Sequence, residues 1–222
     1  MHKIIQNILN IKTQIKSKIN ELKYNNYEPE IIAISKTFPI SHILPLIDSG
    51  HTHYGENKVQ EALEKWHEIK SKNKNIKLHM VGKLQTNKVK FALKIFDFIH
   101  SLDSIKLAKK ISEEQKKYSN KPKIFIQINI GTEKQKSGIN KNHISEFYNE
   151  CIKLNLNIIG TMCLPPINQN SSDFFSEMKK INLELKLNEI SMGMSDDYLI
   201  ALEHHSTFLR IGSKIFGPRT NS

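Results

Sequence analysis

Cysteine and arginine are both scarce in this 222-residue sequence, which contains two of each. Cys151 and Cys163 are too few for a disulfide scaffold, and their spacing matches no zinc-ligand motif. We therefore expect both thiols to lie in the core as small apolar groups. Long hydrophobic runs are absent as well, because no apolar stretch approaches the roughly 18 residues that a membrane-spanning helix needs. We expect no association with a membrane.

The composition is that of an ordinary globular protein. Hydrophobic residues make up 38% of the chain and charged residues 25%, and this length is typical of one large domain. We predict a single domain over residues 1–222. Apolar residues near the N-terminus follow a helical spacing, which predicts an amphipathic helix and not the apolar core of a signal peptide. A transit peptide or a membrane-surface helix is the alternative, and we expect a cytoplasmic protein.

The formal net charge of +11 raises the question of nucleic-acid binding. Lysines, however, are scattered along nearly every predicted helix instead of forming one stripe or patch. Such an even distribution indicates a compositional bias of the whole chain. We therefore expect no specific nucleic-acid partner, although weak attraction to polyanions at low salt follows from the charge.

Strand-like and helix-like segments alternate along the chain after the N-terminal helix. We predict eight strands, over residues 30–36, 53–57, 77–82, 96–102, 123–130, 157–164, 189–192 and 208–212. The helices between them are predicted over residues 41–49, 59–70, 86–96 with Thr86 at its start, 105–118, 140–154, 174–185 and 198–203. Strict alternation implies parallel strands with right-handed crossovers. Eight such units predict an α/β fold, a (β/α)8 TIM barrel with an additional N-terminal helix. A doubly wound open sheet is the alternative, but the GxGxxG motif is absent after the first strand.

Both arginines, Arg210 and Arg219, lie in or just after one glycine-rich segment, LRIGSKIFG. A guanidinium is a planar fork of fixed charge, so arginine in a lysine-rich chain indicates a geometric site. The segment leads from a short strand into a turn at Gly212 and Ser213, where N–H groups and a hydroxyl can bind an anion. SMGMSDD, with Ser195, offers a second such turn. The loops after strands seven and eight of a barrel often hold a phosphate, which predicts a phosphate pocket here; the alternative is that these residues only form turns.

Lys36 ends the first predicted strand, directly after a run of apolar residues. Its ammonium group is expected at the C-terminal ends of the strands, which is the active face of such a barrel. A nearby fixed cation such as Arg210 favours the neutral amine, and a neutral amine can attack a carbonyl to form a Schiff base. An ordinary surface lysine at a strand end is the alternative.

The sequence resembles the pyridoxal phosphate homeostasis protein family over essentially its whole length. The resemblance is carried, in order, by AISKTFP, YGENKVQEA, HMVGKLQTNK, IHSLDS, QINI with EKQKSGI, GTMCLPP, SMGMSDD and RIGSKIFG. This family is related to the barrel domain of bacterial alanine racemase. It implies a pyridoxal 5'-phosphate (PLP) cofactor and a protein that stores, buffers or delivers PLP in vitamin B6 and amino-acid homeostasis.

Matched position by position, the resemblance implies roles for individual residues. Lys36 matches the lysine that holds PLP as an aldimine, and Arg210 matches the arginine that faces the pyridine nitrogen. Ser195, Gly212 and Ser213 match the segments that hold the phosphate. Asn57, His79 and Met162 fall in motifs that are expected to line the mouth of the barrel, and Asn57 is assigned to the cofactor site. His79, Met162 and Lys136, which lies in the EKQKSG loop, have no assigned role.

The resemblance favours a carrier over an enzyme. A permanent cation against the pyridine nitrogen makes the ring a poorer electron sink. Alanine racemases also use a tyrosine from a separate β domain, and this sequence ends at Ser222, so we expect that domain to be lacking. Tyr54 and Tyr198 are the candidate substitutes, which we expect to be structural. A PLP-dependent racemase remains the alternative. We expect free PLP and apo PLP-enzymes as partners, and a monomer.

Three further hypotheses start from single residue clusters. Lys36 without a cofactor would suit a Schiff-base aldolase. The His51–His53 and His204–His205 pairs could bind a metal only with partners that the sequence does not identify, so we expect no metal site. Glu56 and Asp103 at strand ends could form an acid–base pair, although carboxylates at strand ends more often cap helices or bind lysine.

Overall fold

A computed structural model describes residues 2–118, 121–133, 135, 137–167 and 169–218. The strands all run in parallel and are β1 (Glu30–Ile34), β2 (His53–Glu56), β3 (Lys77–Met80), β4 (Phe98–Leu102), β5 (Lys123–Ile128), β6 (Ile158–Cys163), β7 (Glu189–Ser191) and β8 (Phe208–Ile211). Each strand pairs with the next, and β1 also pairs with β8, where Ile32 lies opposite Arg210. The sheet is therefore closed, and the predicted (β/α)8 barrel is confirmed.

Alternation along the strands separates an interior from an exterior layer. Side chains that point inward form an apolar cluster of Ile32, Phe98, Phe125, Met162 and Phe208. Side chains that point outward pack beneath the helices and form the larger core. A period of two is expected for strands packed on both faces. We call the end of the barrel at the C-termini of the strands the mouth and the opposite end the base.

Nine α-helices surround the barrel in the described part of the chain. They are α1 (Lys3–Glu21), α2 (Ile40–Asp48), α3 (Val59–Lys72), α4 (Val89–Ala92), α5 (Ile105–Gln115), α6 (Ile144–Lys153), α7 (Ser171–Glu184), α8 (Tyr198–Glu203) and α9 (Ser213–Phe216). The predicted N-terminal helix is α1, which buries Ile4, Ile8, Ile11 and Ile15 on one face. Asn7 on α1 donates to the carbonyl of Ile215 at 2.9 Å, so α1 is attached to the last helix of the barrel.

The helix predicted over residues 86–96 is wrong in its length and its start. Thr86–Lys88 is a 3₁₀ turn whose N-cap is Gln85, and only α4 continues it as α-helix. The chain leaves the helix early because Asp97 must bring its N–H to the carbonyl of Leu78, 2.9 Å away, to start β4 beside β3. Pairing between strands therefore overrides a local helical pattern.

Gly160 in β6 allows two strands to approach closely, and we expect Gly160→Ala to destabilise the barrel. A Cβ atom there would lie 1.9 Å from the carbonyl oxygen of Glu189 on the neighbouring β7. Backbone atoms of a paired strand cannot move aside cheaply, so overpacking should cost about 1–3 kcal/mol or more. Urea denaturation measures this loss. Gly212→Ala is the control with the smaller expected loss, because its Cβ would lie 3.3 Å from the Cβ of Ile34. Equal stability of Gly160→Ala and the parent protein would contradict the predicted steric clash.

Within the described residues, none of the helices combines the length and the apolar character needed to cross a bilayer.

Candidate functional site

Lys36 lies at the barrel mouth, two residues beyond the end of β1. Ile32 and Ile34 point into the barrel, so the period of two also directs Lys36 inward. Thr37 follows with φ of 71°, a left-handed conformation that a β-branched residue adopts only when its surroundings impose it. The turn at residues 36–37 is therefore held in place by contacts outside itself.

A cavity of about 300 Å³ opens at the mouth beside Lys36. Its lining includes most of the predicted cofactor residues: Lys36, Ser195, Arg210, Gly212 and Ser213. The first of these follows β1, and the others lie on or after β7 and β8. Strand β8 pairs with β1 where the barrel closes, and β7 is the next strand along. Its volume lies at the lower end of the range for small-ligand pockets, about 300–1,000 Å³. The structure thus brings these five residues together, while their individual roles stay predictions.

Asn57 lines an adjoining cavity of about 400 Å³ that shares Lys36, Val81 and Leu164 with the first. The Asn57 side-chain oxygen is buried and has no hydrogen-bond partner among the described residues. A buried acceptor without a donor is costly unless something else supplies one. The unpaired oxygen therefore marks a place that a polar ligand can complete.

The two phosphate-type turns contact each other directly. The N–H of Gly212 donates to the hydroxyl oxygen of Ser195 at 3.3 Å. Gly193, with φ of 86°, allows the chain to turn after β7, and a Cβ there would lie 2.6 Å from that of Ala201. Ser195 is buried and Ser213 is exposed, so one hydroxyl faces the interior of the cavity wall and the other its rim.

Arg210 is buried on β8, and its side chain is hydrogen-bonded to residues at the ends of β6 and β7. Its guanidinium donates to Ser191 Oγ and to the carbonyl oxygen of Cys163, both at 2.7 Å. Burial lowers the pKa of Arg210, but a guanidinium remains charged at any ordinary pH. The residue therefore presents a fixed, oriented cation to the cavity that it lines.

Helix α3 clamps the turn that carries Lys36. Glu61 accepts the N–H of Thr37 at 2.8 Å, and Lys65 donates to the carbonyl of Ser35 at 3.0 Å. Glu61 and Lys65 also pair with each other at 2.9 Å. The peptide groups on both sides of Lys36 are thus fixed by one helix. The i, i+4 spacing of Glu61 and Lys65 in the sequence indicates an ion pair, but it does not indicate that the pair binds the turn at Lys36.

Glu56 binds the ammonium group of Lys65, as expected for a strand-end carboxylate, and does not form the alternative acid–base pair with Asp103. One oxygen of the buried Glu56 carboxylate accepts from Ser35 at 2.8 Å and from Lys65 and Trp66 at 3.0 Å each. Burial raises the pKa of Glu56, and the Lys65 ammonium opposes that shift. Glu56 points outward toward α3, as alternate residues of a strand must, and so cannot act in the cavity.

Replacing Lys65 by Met should cost about 3–5 kcal/mol of unfolding free energy, because it leaves the buried Glu56 carboxylate without its cation. Lys72→Met is the matched control on the same helix. Its partner Glu68 is also four residues away, but both side chains are largely exposed, so the loss should be below about 1 kcal/mol. Urea denaturation of both variants checks the difference. Equal losses would show that Lys65 is no more than a surface charge.

Two residues expected at the mouth lie deeper in the barrel. His79 is fully buried between β2 and β4, and Met162 belongs to the apolar interior cluster. The depth of His79 follows from the register of β3, because His79 lies opposite Gly55 of β2 and Phe98 of β4, within the body of the sheet. Neither residue lines the two cavities beside Lys36. Lys136 and Arg219 lie outside the described residues.

A metal site or a further cavity in the rest of the described structure would be a second candidate site. No group of three or more His, Cys, Asp or Glu side chains there could hold a metal ion. Larger grooves of about 680 and 850 Å³ lie beside α1 and between α2 and α3. Both are formed largely by the helical layer, away from the strand ends at the mouth.

The alanine racemase N-terminal domain family matches this chain over residues 4–220. The pyridoxal phosphate homeostasis protein of Pasteurella multocida is 32% identical over 230 residues, which cover 99% of each chain. This chain belongs to the pyridoxal phosphate homeostasis protein family. The resemblance carried by the sequence motifs is thereby confirmed.

Solved structures agree with this assignment. PipY of Synechococcus elongatus, solved with PLP bound, has a TM-score of 0.80 at 29% identity, covering 91% of this chain and 100% of PipY. An alanine racemase of Clostridium difficile has a TM-score of 0.72 at 14% identity, covering 99% of this chain and 57% of the enzyme. At that identity the second likeness shows a shared fold alone.

The residues of the mouth fit a PLP molecule by their chemistry. The cavity offers an amine at Lys36, hydroxyls at Ser195 and Ser213 for a phosphate, and a fixed cation at Arg210. The unpaired oxygen of Asn57 in the adjoining cavity adds a hydrogen-bond acceptor beside Lys36.

Proposed function

We propose that this protein binds PLP at the barrel mouth and stores, buffers or delivers it without being an efficient catalyst. One observation carries the proposal: the Lys36 amine shares a cavity of about 300 Å³ with Ser195, Gly212, Ser213 and Arg210. When bound, PLP supplies an aldehyde that condenses with an amine, with loss of water, and a ring that withdraws electrons. Lys36 is the amine that holds it.

Ser195, Gly212 and Ser213 bind the phosphate in this proposal. Ser195 Oγ already accepts from the Gly212 N–H, so its own proton is free to be donated outward. The exposed hydroxyl of Ser213 at the rim adds a second donor. Asn57 Oδ1 accepts a hydrogen bond on the other side of Lys36. These contacts orient the ligand, while the half-buried position of Lys36 leaves a way out to solvent.

The electrostatics of Arg210 support weak catalysis. Two donors of Arg210 are tied to Ser191 and to the Cys163 carbonyl, so the guanidinium cannot leave the cavity wall. A fixed cation beside the ring nitrogen disfavours its protonation, which limits stabilisation of a carbanion. Arg210 thereby suits holding the cofactor better than using it.

The positions of the two candidate tyrosines also support a carrier. Tyr54 donates to the carbonyl of His51 at 3.1 Å, near the base of the barrel, and Tyr198 donates to Gln14 on α1. Neither lines the two cavities beside Lys36. Among the described residues of those cavities there is likewise no histidine or cysteine. Racemisation needs an acid and a base on opposite faces of the substrate, and neither tyrosine is placed to be the second group.

Borohydride reduction of the wild-type protein with PLP, followed by peptide mapping, tests the binding site. We expect one added cofactor on the peptide that contains Lys36. Incubation of the PLP-loaded protein with L-amino acids in deuterated water tests the carrier role, and α-proton exchange at ordinary enzymatic rates would favour a racemase-type enzyme instead. An adduct on a lysine away from the mouth would contradict the proposed site.

The remaining partners follow from the same proposal. Apo PLP-enzymes are the expected recipients, and adding one to the loaded protein should transfer the cofactor faster than free exchange through dialysis. Monomeric behaviour is expected in light scattering. A gel shift that survives physiological salt would contradict the absence of a specific nucleic-acid partner.

A further inference from the structure

Hydrogen-bonded side chains cross the barrel interior from the base to Arg210. His53 Nδ1 lies 2.9 Å from His79 Nε2, and His79 Nδ1 lies 2.8 Å from His100 Nε2. His100 Nδ1 in turn lies 2.9 Å from Ser191 Oγ, which accepts from Arg210 at 2.7 Å. His79, His100 and Ser191 are fully buried. We call these four residues, from His53 to Ser191, the histidine chain.

Arg210 gives the histidine chain its direction. A guanidinium only donates, so Ser191 Oγ is the acceptor at that end. The Ser191 proton then finds its acceptor in His100 Nδ1, its other partner in the described structure. His100 therefore carries its proton on Nε2 and donates to His79, which does the same toward His53. This direction pairs every donor and acceptor from His53 Nδ1 to Ser191 Oγ.

The surroundings keep the two central histidines neutral, as this arrangement requires. His79 stacks on Phe98 and His100 on Phe125, with ring centroids 4.2 Å apart in both pairs. Burial lowers the pKa of both imidazoles well below the usual value, and the charge of Arg210 adds to this for His100. Neither ring takes up a proton without losing a hydrogen bond that it now accepts.

His53 is the end of the chain that solvent protons can reach. Its side chain is 14% exposed at the base, where Nε2 lies 3.9 Å from Glu30 Oε2. Burial lowers the pKa of His53; the carboxylates of Glu30 and Asp97 oppose that shift, and the ammonium groups of Lys77 and Lys123 reinforce it. Besides the charged groups from β1, β3, β5 and the start of β4, His53 faces three other histidines: His51, whose Nε2 lies 2.9 Å from the His53 carbonyl oxygen, His79 and His100.

We propose that the histidine chain positions Arg210 and that protonation of His53 at the base reverses it, which weakens the cofactor site at the mouth. A protonated His53 donates from both nitrogens, so His79 must accept from it and carry its proton on Nδ1. His100 must then accept from His79 at Nε2 and carry its own proton on Nδ1. Ser191 Oγ then accepts from both His100 and Arg210. One proton is taken up, and the Ser191 hydroxyl loses its acceptor. The inference rests on the proposed function only where it assigns Arg210 to the PLP ring.

Nuclear magnetic resonance of ¹⁵N-histidine-labelled protein without cofactor tests the chain itself. Long-range ¹H–¹⁵N spectra distinguish the two tautomers of each ring. We expect His79 and His100 to be neutral with the proton on Nε2 near neutral pH. On acidification both should switch to Nδ1 with one shared midpoint, that of His53. The inference is overturned if His100 carries its proton on Nδ1 near neutral pH, or if the tautomer of His79 does not change when His53 titrates.

Equilibrium dialysis of PLP between about pH 7.5 and 5.5 tests the link to the mouth. The cofactor phosphate titrates in this range itself, so the informative quantity is the affinity relative to His53→Asn. Asparagine keeps an acceptor near the place of Nδ1 but does not titrate. Relative to this variant, wild-type affinity should fall by about 5-fold or more on acidification. The fall stays below about 100-fold, because uptake of one proton changes an affinity by at most about tenfold per pH unit.

His204→Asn is the matched control, because His204 bonds to Ser172 outside the barrel and the variant should follow the wild type. Identical pH dependence of wild type and His53→Asn overturns the link. Failure of the proposed function looks different: the tautomers would be as described, but wild-type protein would not bind PLP at any pH.

Discussion

Replacing Lys36 by Met is expected to abolish covalent retention of PLP. Methionine keeps an unbranched, apolar side chain in the half-buried position but has no amine to condense with the aldehyde. The borohydride-stable adduct should fall from one per chain to background, and the absorbance band of the bound cofactor should disappear. Mass spectrometry of the reduced protein and its visible spectrum measure both.

Lys109→Met is the matched control for Lys36→Met. Lys109 is exposed on α5 and lines neither cavity beside Lys36, so this variant should retain the full adduct. The lysine-rich composition makes the control necessary, because any exposed amine can react slowly with an aldehyde. A Lys36→Met protein that still carries one adduct per chain would show that another lysine is the true site.

Acidification should destabilise this protein strongly, because the fold buries neutral histidines. Burial lowers the pKa of His51 to about 4 and that of His79 and His100 well below the usual value. In the unfolded chain these groups titrate near 6.5. The unfolded state therefore binds more protons below that pH, and stability present above about pH 6.5 is lost progressively as the pH falls toward the folded-state pKa values.

The size of this effect follows from proton linkage. Each such histidine should cost about 2 kcal/mol between about pH 7.5 and pH 5, so the three together cost about 6 kcal/mol. That is comparable to the whole stability of an ordinary domain, about 5–15 kcal/mol. Urea denaturation at several pH values, monitored through Trp66, measures the slope. A flat profile down to pH 5 would mean that these rings are charged in the folded state.

His51→Gln isolates one contribution to the acid slope. Glutamine can still donate to the carbonyl of His53, which His51 Nε2 contacts at 2.9 Å, but it takes up no proton. The variant should recover about 2 kcal/mol of the loss at about pH 5. His67→Gln on the exposed face of α3 should leave the slope unchanged.

Strand ends were the most predictable part of the candidate site. Lys36 follows the first strand, and Ser195, Gly212 and Ser213 follow the last two, so a closed barrel must bring them together. A local helical pattern was less reliable: the segment over residues 86–96 yields to the pairing that Asp97 makes with Leu78. Motifs alone also misplaced His79 and Met162, because a motif does not state how deep in the barrel its side chains lie.

The periodicity of apolar residues and the turn residues between them are local features of the sequence. They determined the barrel, the extra α1 helix and the position of Lys36 at the mouth. Only the tertiary structure decided which groups surround those residues. His100 and Ser191 are 91 positions apart and share a hydrogen bond, and Glu61 and Lys65 fix the turn at Lys36 from another element. Such contacts depend on the stagger of strands in a closed sheet, which no short stretch of sequence encodes.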